Sequence, residues 1–255
     1  ESGKKKERTV IAEKSLYKKW LKTSVGGKRL IDLKPLDYAR LSKTILKAKR
    51  SPRTVHYVVS ILLQIWSASF DAGLVKIQPP RRKTLDLPDI DNERTRAFTP
   101  EEAHLFLTEV KNRSPQWHDI SLLSLLTGMR ASEIFKLKRS EIGLEKNTLF
   151  LRSPKKSRSQ YLNISDQAAA HIKAMLESYG ENQVLLVTNR KGQQIKEVSD
   201  TVQRSIDRLG LNKGVEPRNK LTFHSLRHST ATWLLESGED IYRVSKLLRH
   251  SKVSM

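Results

Sequence analysis

A handful of side chains in this 255-residue sequence could act together on a phosphodiester. They are Arg130, a lysine at 155 or 156, His224, Arg227 and His250. Arg130 follows a glycine in Thr127-Gly128-Met129-Arg130-Ala131-Ser132-Glu133, where a guanidinium can project from the start of a helix. Lys155 and Lys156 sit in the cationic turn Arg152-Ser153-Pro154-Lys155-Lys156-Ser157-Arg158. His224 and Arg227 are three apart, so on a helix they share a face. His250 closes the apolar stretch Leu247-Leu248. Taken singly, each has a plainer structural reading. Arg130 can be a surface arginine and the lysines can give diffuse DNA affinity. His224 can cap a helix beside an ion-paired Arg227, and His250 can answer a helix dipole.

Taken as a set, they are what phosphoryl transfer needs without a metal. The transition state gathers negative charge on the non-bridging oxygens, and two guanidinium forks can offset it. The leaving and attacking oxygens need proton transfer, which Lys and His can supply. Metal-dependent hydrolysis needs clustered carboxylates instead. Here the acids are scattered, and no metal or other cofactor is implied.

The elements that must position these groups are mainly helices. The first 95 residues read as a helical unit. Helical spacing covers Ala12 to Leu21, Leu36 to Lys49 behind Pro35, and Val55 to Ala72 with Gly73 as its stop. A polar stretch rich in Pro and Arg, from Gln78 to Arg96, reads as a linker. Thr99-Pro100-Glu101-Glu102 then opens a second unit, residues 96–255, with a capping box. Its expected helices are Ile120–Leu126, Ala131–Leu137, Gln167–Ser178, Val198–Leu209, Ser225–Glu236 and Ile241–Leu248. Its expected strands are Thr148–Leu151, Gln160–Ile164 and a third at Val184–Val187. The fold class is therefore mainly α with a small β-sheet, in two domains.

Charge narrows the partner. The chain has 48 Lys and Arg against 27 Asp and Glu, a net charge of +21. Residues 1–100 hold 23 basic and 10 acidic side chains, so they carry the denser positive charge. Such a surface suits a polyanion, and double-stranded DNA is the expected partner. No apolar run approaches the roughly 18 residues of a membrane span. The sequence contains no cysteine, which excludes thiolate nucleophiles and disulfide frameworks and fits a reducing compartment. The charged N-terminus shows no signal peptide, and a cytoplasmic location, with the protein on the bacterial nucleoid, is expected.

The segments around the candidate residues resemble the tyrosine recombinases of the phage-integrase family. Thr127 to Ile134 is similar to the family's first box, and His224-Ser225-Leu226-Arg227-His228-Ser229-Thr230 to its second. Leu247-Leu248-Arg249-His250-Ser251 resembles a segment that usually reads Leu-Gly-His-Ser, so Arg249 stands where the family has Gly. Ser51 to Val75 is similar to the last helix of the family's core-binding domain. The likeness spans roughly residues 10–255. It implies a two-domain DNA clamp, an α+β catalytic domain, and site-specific cleavage and rejoining of DNA through a 3′-phosphotyrosine. It also implies a monomer that assembles into a tetramer on DNA, with DNA-bending accessory proteins as possible partners.

The resemblance assigns roles. Arg130 and Arg227 grip the scissile phosphate, His224 moves a proton with the nucleophile, and His250 hydrogen-bonds a phosphate oxygen. Lys155 protonates the departing 5′-hydroxyl, with Lys156 as the alternative. Glu133 falls on an acidic position that orients the first box. The nucleophile is placed about nine residues after His250, beyond Met255. The six tyrosines, at 17, 38, 57, 161, 179 and 242, all precede His250. The same residues leave two other readings open: a DNA-binding protein that keeps the fold without the chemistry, and a relative of type IB topoisomerases.

Overall fold

The computed structural model describes residues 5–90, 96–152, 159–180 and 183–249. The chain forms two compact units, Glu1–Asn92 and Glu93–Met255. Lys155, Lys156 and His250, and the expected boundary near residue 95, lie outside the described residues.

The first unit is helical. Helix α1 (Glu7–Leu16) runs through a π-helical turn (Tyr17–Leu21) into one closing turn, α2 (Lys22–Ser24). It is longer than the stretch expected from apolar spacing, because α1 itself buries nothing. The π turn is what delivers Trp20 and Leu21, adjacent in sequence, into the core. Helix α3 (Pro35–Lys47) and helix α4 (Pro52–Asp71) each begin on a proline, whose missing N–H costs nothing at that position. Their buried faces carry Tyr38, Leu41 and Ile45 against Val55, Val58 and Leu62. The segment after α4 is tied back to it: Trp66 Nε1 donates to the Ile77 carbonyl at 2.8 Å.

The second unit holds the candidate residues. Helix α5 (Pro100–Arg113) opens on the expected capping box. The Thr99 hydroxyl accepts from the Glu102 N–H, and the Glu102 carboxylate accepts from the Thr99 N–H, both at 3.1 Å. Arg96 extends the motif by pairing with Glu102 at 2.7 Å. Helix α6 (Pro115–Thr127) is longer than the expected Ile120–Leu126, because Ser114 caps it and Pro115 starts it. It is apolar on nearly every face, as a helix at the centre of a core must be. Helix α7 (Ala131–Ile134) is a single turn.

Three short strands follow in the antiparallel order β1-β2-β3. They are β1 (Ile142–Gly143), β2 (Thr148–Leu151) and β3 (Gln160–Asn163), with Leu149 opposite Leu162 and both buried. The third strand is not Val184–Val187, as its β-branched ends suggested. That segment makes one bridge, Leu185 with Lys138, in which the Leu186 N–H donates to the Leu137 carbonyl and the Arg139 N–H to the Val184 carbonyl. β1 takes the place beside β2, because Asn147 adopts a left-handed conformation (φ 47°) and closes a tight connection. Helices α8 (Asp166–Ser178), α9 (Asp200–Arg208), α10 (Phe223–Glu236) and α11 (Ile241–Leu247) complete the unit. Among the described residues, no helix is long and apolar enough to cross a membrane.

The capping box yields a test. Thr99→Ala should cost about 1 kcal/mol of unfolding free energy, read from urea melts, since it orphans the Glu102 N–H.

Candidate functional site

The site is assembled where three chain segments end. Helix α6 stops at Gly128, whose φ of 62° is left-handed. The turn beyond it is knitted by hydroxyls. Thr127 Oγ1 donates to the Leu123 carbonyl at 2.6 Å, and Ser124 Oγ donates to the Met129 carbonyl at 2.9 Å. The chain then leaves in an extended conformation at Arg130, the N-cap of α7. An arginine there opposes the helix dipole. Glu133, three residues on, answers that locally. Its carboxylate accepts from the Arg130 N–H at 2.8 Å and from Arg130 Nη1 at 3.0 Å.

Helix α10 begins at Phe223, earlier than expected, with Thr222 as its N-cap. This sets His224 in the first turn and Arg227 one turn further. His224 is exposed, and its ring meets that of His228 edge-on with centroids 4.8 Å apart. Arg227 is buried, with only 2% of its surface exposed. α10 is pinned to the end of α6 by the Thr230 hydroxyl, which donates to the Leu125 carbonyl at 2.7 Å. It is also tied to the start of the unit. Ser229 Oγ accepts from the Phe98 N–H at 2.8 Å, and Trp233 Nε1 donates to the Phe98 carbonyl at 3.0 Å.

Arg227 donates Nη1 to the Gly128 carbonyl and Nη2 to the Leu248 carbonyl, just past the end of α11. One guanidinium thus joins the ends of α6 and α11 to α10. Two of its five N–H donors serve these carbonyls. Burial lowers the Arg227 pKa to about 10, with the charges of Arg130 and Arg249 acting in the same direction and Glu133 opposing. The group therefore stays charged at neutral pH.

Arg249 completes the cluster. It adopts φ 57°, a left-handed conformation that costs a non-glycine residue about 1 kcal/mol. Its Nη2 donates to Glu133 at 2.7 Å and its Nη1 to the Leu247 carbonyl at 3.0 Å. Glu133 consequently serves two guanidiniums. Burial pushes its carboxyl upward, but the Arg249 charge, the Arg130 N–H and the Arg130 charge together hold it below the ordinary value. The described group of Arg130, Arg227, Arg249 and Glu133 carries a net charge of +2, a site made for an anion.

The structure therefore brings Arg130, Glu133 and Arg227 into one cluster, with His224 on the same helix as Arg227. In the sequence, Arg249 stands out only as a departure from a pattern. A long charged residue at a helix end, where glycine would fit, was the available signal that it does more.

Residues 96–255 match the model of the phage integrase family. The chain belongs to that family. Among curated proteins, it is 30% identical over 225 residues to the tyrosine recombinase XerA of Thermococcus kodakarensis, covering 88% of this chain and 76% of that one. It is 32% identical to the XerD recombinase of Halalkalibacterium halodurans, over 67% of this chain and 58% of the relative. Among solved structures, the Tn1549 transposon integrase in complex with transposon right end DNA superposes with a TM-score of 0.79, at 16% identity, over 98% of this chain and 88% of that one. A λ integrase tetramer bound to a Holliday junction superposes with a TM-score of 0.76, at 18% identity, over 100% of this chain and 72% of that one. At these identities the likeness is one of fold.

Close packing at the helix end is testable. A Cβ on Gly128 would run into Leu248 Cδ2, in a backbone conformation that already disfavours it. Gly128→Ala should cost about 2 kcal/mol in thermal unfolding. Leu248→Ala removes the obstacle, so the double variant should lose clearly less than the sum of the single ones.

Proposed function

We propose that this protein is a site-specific DNA recombinase that cleaves and rejoins strands through a 3′-phosphotyrosine. The observation that supports this best is the convergence of Arg130, which is partly exposed, and the buried Arg227 on one net-positive cluster. In this reading their free N–H groups bind the non-bridging oxygens of the scissile phosphate and offset the charge that builds in the transition state. Holding the forks in place beforehand removes reorganisation from the reaction step. His224, exposed at the first turn of α10, exchanges a proton with the nucleophile. Lys155 protonates the leaving 5′-hydroxyl, Lys156 being the alternative, and His250 donates to a phosphate oxygen. The nucleophile is a tyrosine near position 259.

The units 1–95 and 96–255 act in this proposal as a core-type DNA-binding domain and a catalytic domain that close on duplex DNA as a clamp. The denser charge of the first 100 residues supports its share in the grip. Four copies assemble on two DNA sites, with DNA-bending proteins as accessory partners, and the reaction takes place on cytoplasmic DNA. The λ integrase tetramer with the same fold supports that stoichiometry.

A duplex nicked next to the cleavage site traps the covalent intermediate. The gene product read through position 259 should become attached to it, and Arg130→Ala or Arg227→Ala should slow attachment about 100-fold or more. Attachment that survives both changes would overturn the assignment. Binding without attachment would mark a DNA-binding protein that lacks the chemistry, and plasmid relaxation without site preference would mark topoisomerase-like activity. Duplex affinity should fall about a thousandfold between roughly 50 and 200 mM salt, as phosphate contacts release counterions.

A further inference from the structure

Arg249 is built at a cost that a smaller residue would avoid. Its backbone is left-handed, at φ 57°. Its side chain is 8% exposed, so a charge is held out of water. Its Nε is buried with no hydrogen-bond partner among the described residues. A glycine would remove all three liabilities at once. The terms that offset them are the ion pair with Glu133 and the short bond to the Leu247 carbonyl.

The division of labour on Glu133 shows what that ion pair does. Oε1 faces Arg130 Nη1, and Oε2 takes both the Arg130 N–H and Arg249 Nη2. Arg249 and the Arg130 N–H thus together hold the carboxylate's rotation about its own axis. The rotation in turn sets where the Arg130 guanidinium points. It also draws part of the single negative charge away from Arg130. The residue before Arg249 is Leu248, whose carbonyl is held by Arg227. The dipeptide Leu248–Arg249 is thus a common footing for both guanidiniums: Arg227 reaches it directly and Arg130 through Glu133.

We infer that Arg249 is a positioning residue that locks the spacing and direction of Arg130 relative to Arg227 through Glu133. Its role in catalysis rests on the recombinase reading above. Its structural part, the control of Arg130, does not.

Arg249→Gly is the informative variant, because glycine suits φ 57° and the chain should fold with an unchanged melting temperature. Two readouts decide. The first is the Arg130 side-chain NMR spectrum of the protein without DNA. Its Nε–H signal should move in Arg249→Gly and return toward the native position in Arg249→Lys, which restores a cation opposite Glu133. An unmoved Arg130 signal would overturn the proposal. The second is single-turnover attachment to nicked duplex at saturating protein. The rate should fall about tenfold or more, as small misplacements of reacting groups do, while duplex affinity stays within about twofold. In a Glu133→Gln background the same change should add little, because the route through the carboxylate is already cut. An equal loss in both backgrounds, or a native rate in Arg249→Gly, would overturn the catalytic part. If the unaltered protein never attaches to DNA, the recombinase reading fails, and the NMR arm still decides whether Arg249 sets Arg130.

Discussion

A charge held in the protein interior organises the catalytic-type unit. Arg227 cannot be buried unless its donors are met, since an uncompensated buried charge costs about 3–5 kcal/mol. The carbonyls that meet them belong to Gly128 and Leu248, more than twenty residues away in one case and about a hundred in the other. Folding the guanidinium inward therefore requires that the ends of α6 and α11 meet beside the first turns of α10. The tight turn at Gly128, the hydroxyl pins from Thr127, Ser124 and Thr230, and the close approach of Leu248 all follow from that requirement. The pull of burial on its pKa, down to about 10, shows that the fold holds this cation against its solvation preference.

Glu133 is the counterweight. One carboxylate among three guanidiniums neutralises enough charge for the cluster to exist, yet leaves it positive. It does this while capping the turn of α7, so the local structure and the electrostatics depend on one side chain. An apolar residue there would orphan the Arg130 N–H and leave three like charges facing each other. Family membership, shown by residues 96–255, fits a site whose chemistry resides in cations and in the geometry that restrains them.

Most of the helical framework was legible in sequence, because capping signals are local. Thr99 with Glu102, Pro35 and Gly128 each mark an end by chemistry that acts within four residues. That His224 and Arg227 sit about one turn apart on one helix was legible for the same reason, but not that His224 would be exposed and Arg227 buried. Three further features were not legible. The strand β1 has two residues, too few for any alternation, and exists because Asn147 turns the chain back on itself. Val184–Val187 has strand-like composition, yet only Leu185 finds a partner, since pairing depends on what lies alongside. The Arg249–Glu133 pair spans 116 positions, and no local rule reaches that far. The residues that bear on the site most directly from a distance are thus the ones a single sequence hides best.

The π-helical turn at Tyr17–Leu21 has a consequence for how this chain can change through descent. Such a turn is equivalent to one residue inserted into an α-helix and retained. Losing any one residue there would restore an ordinary helix but swing α1 by about 100° relative to Trp20 and Leu21. Lys5 would then part from Gln64, the α4 side chain that accepts its amine and holds the helix start. Length in this short stretch is therefore under tighter constraint than identity: substitutions among its exposed lysines are cheap, and a single-codon deletion is not.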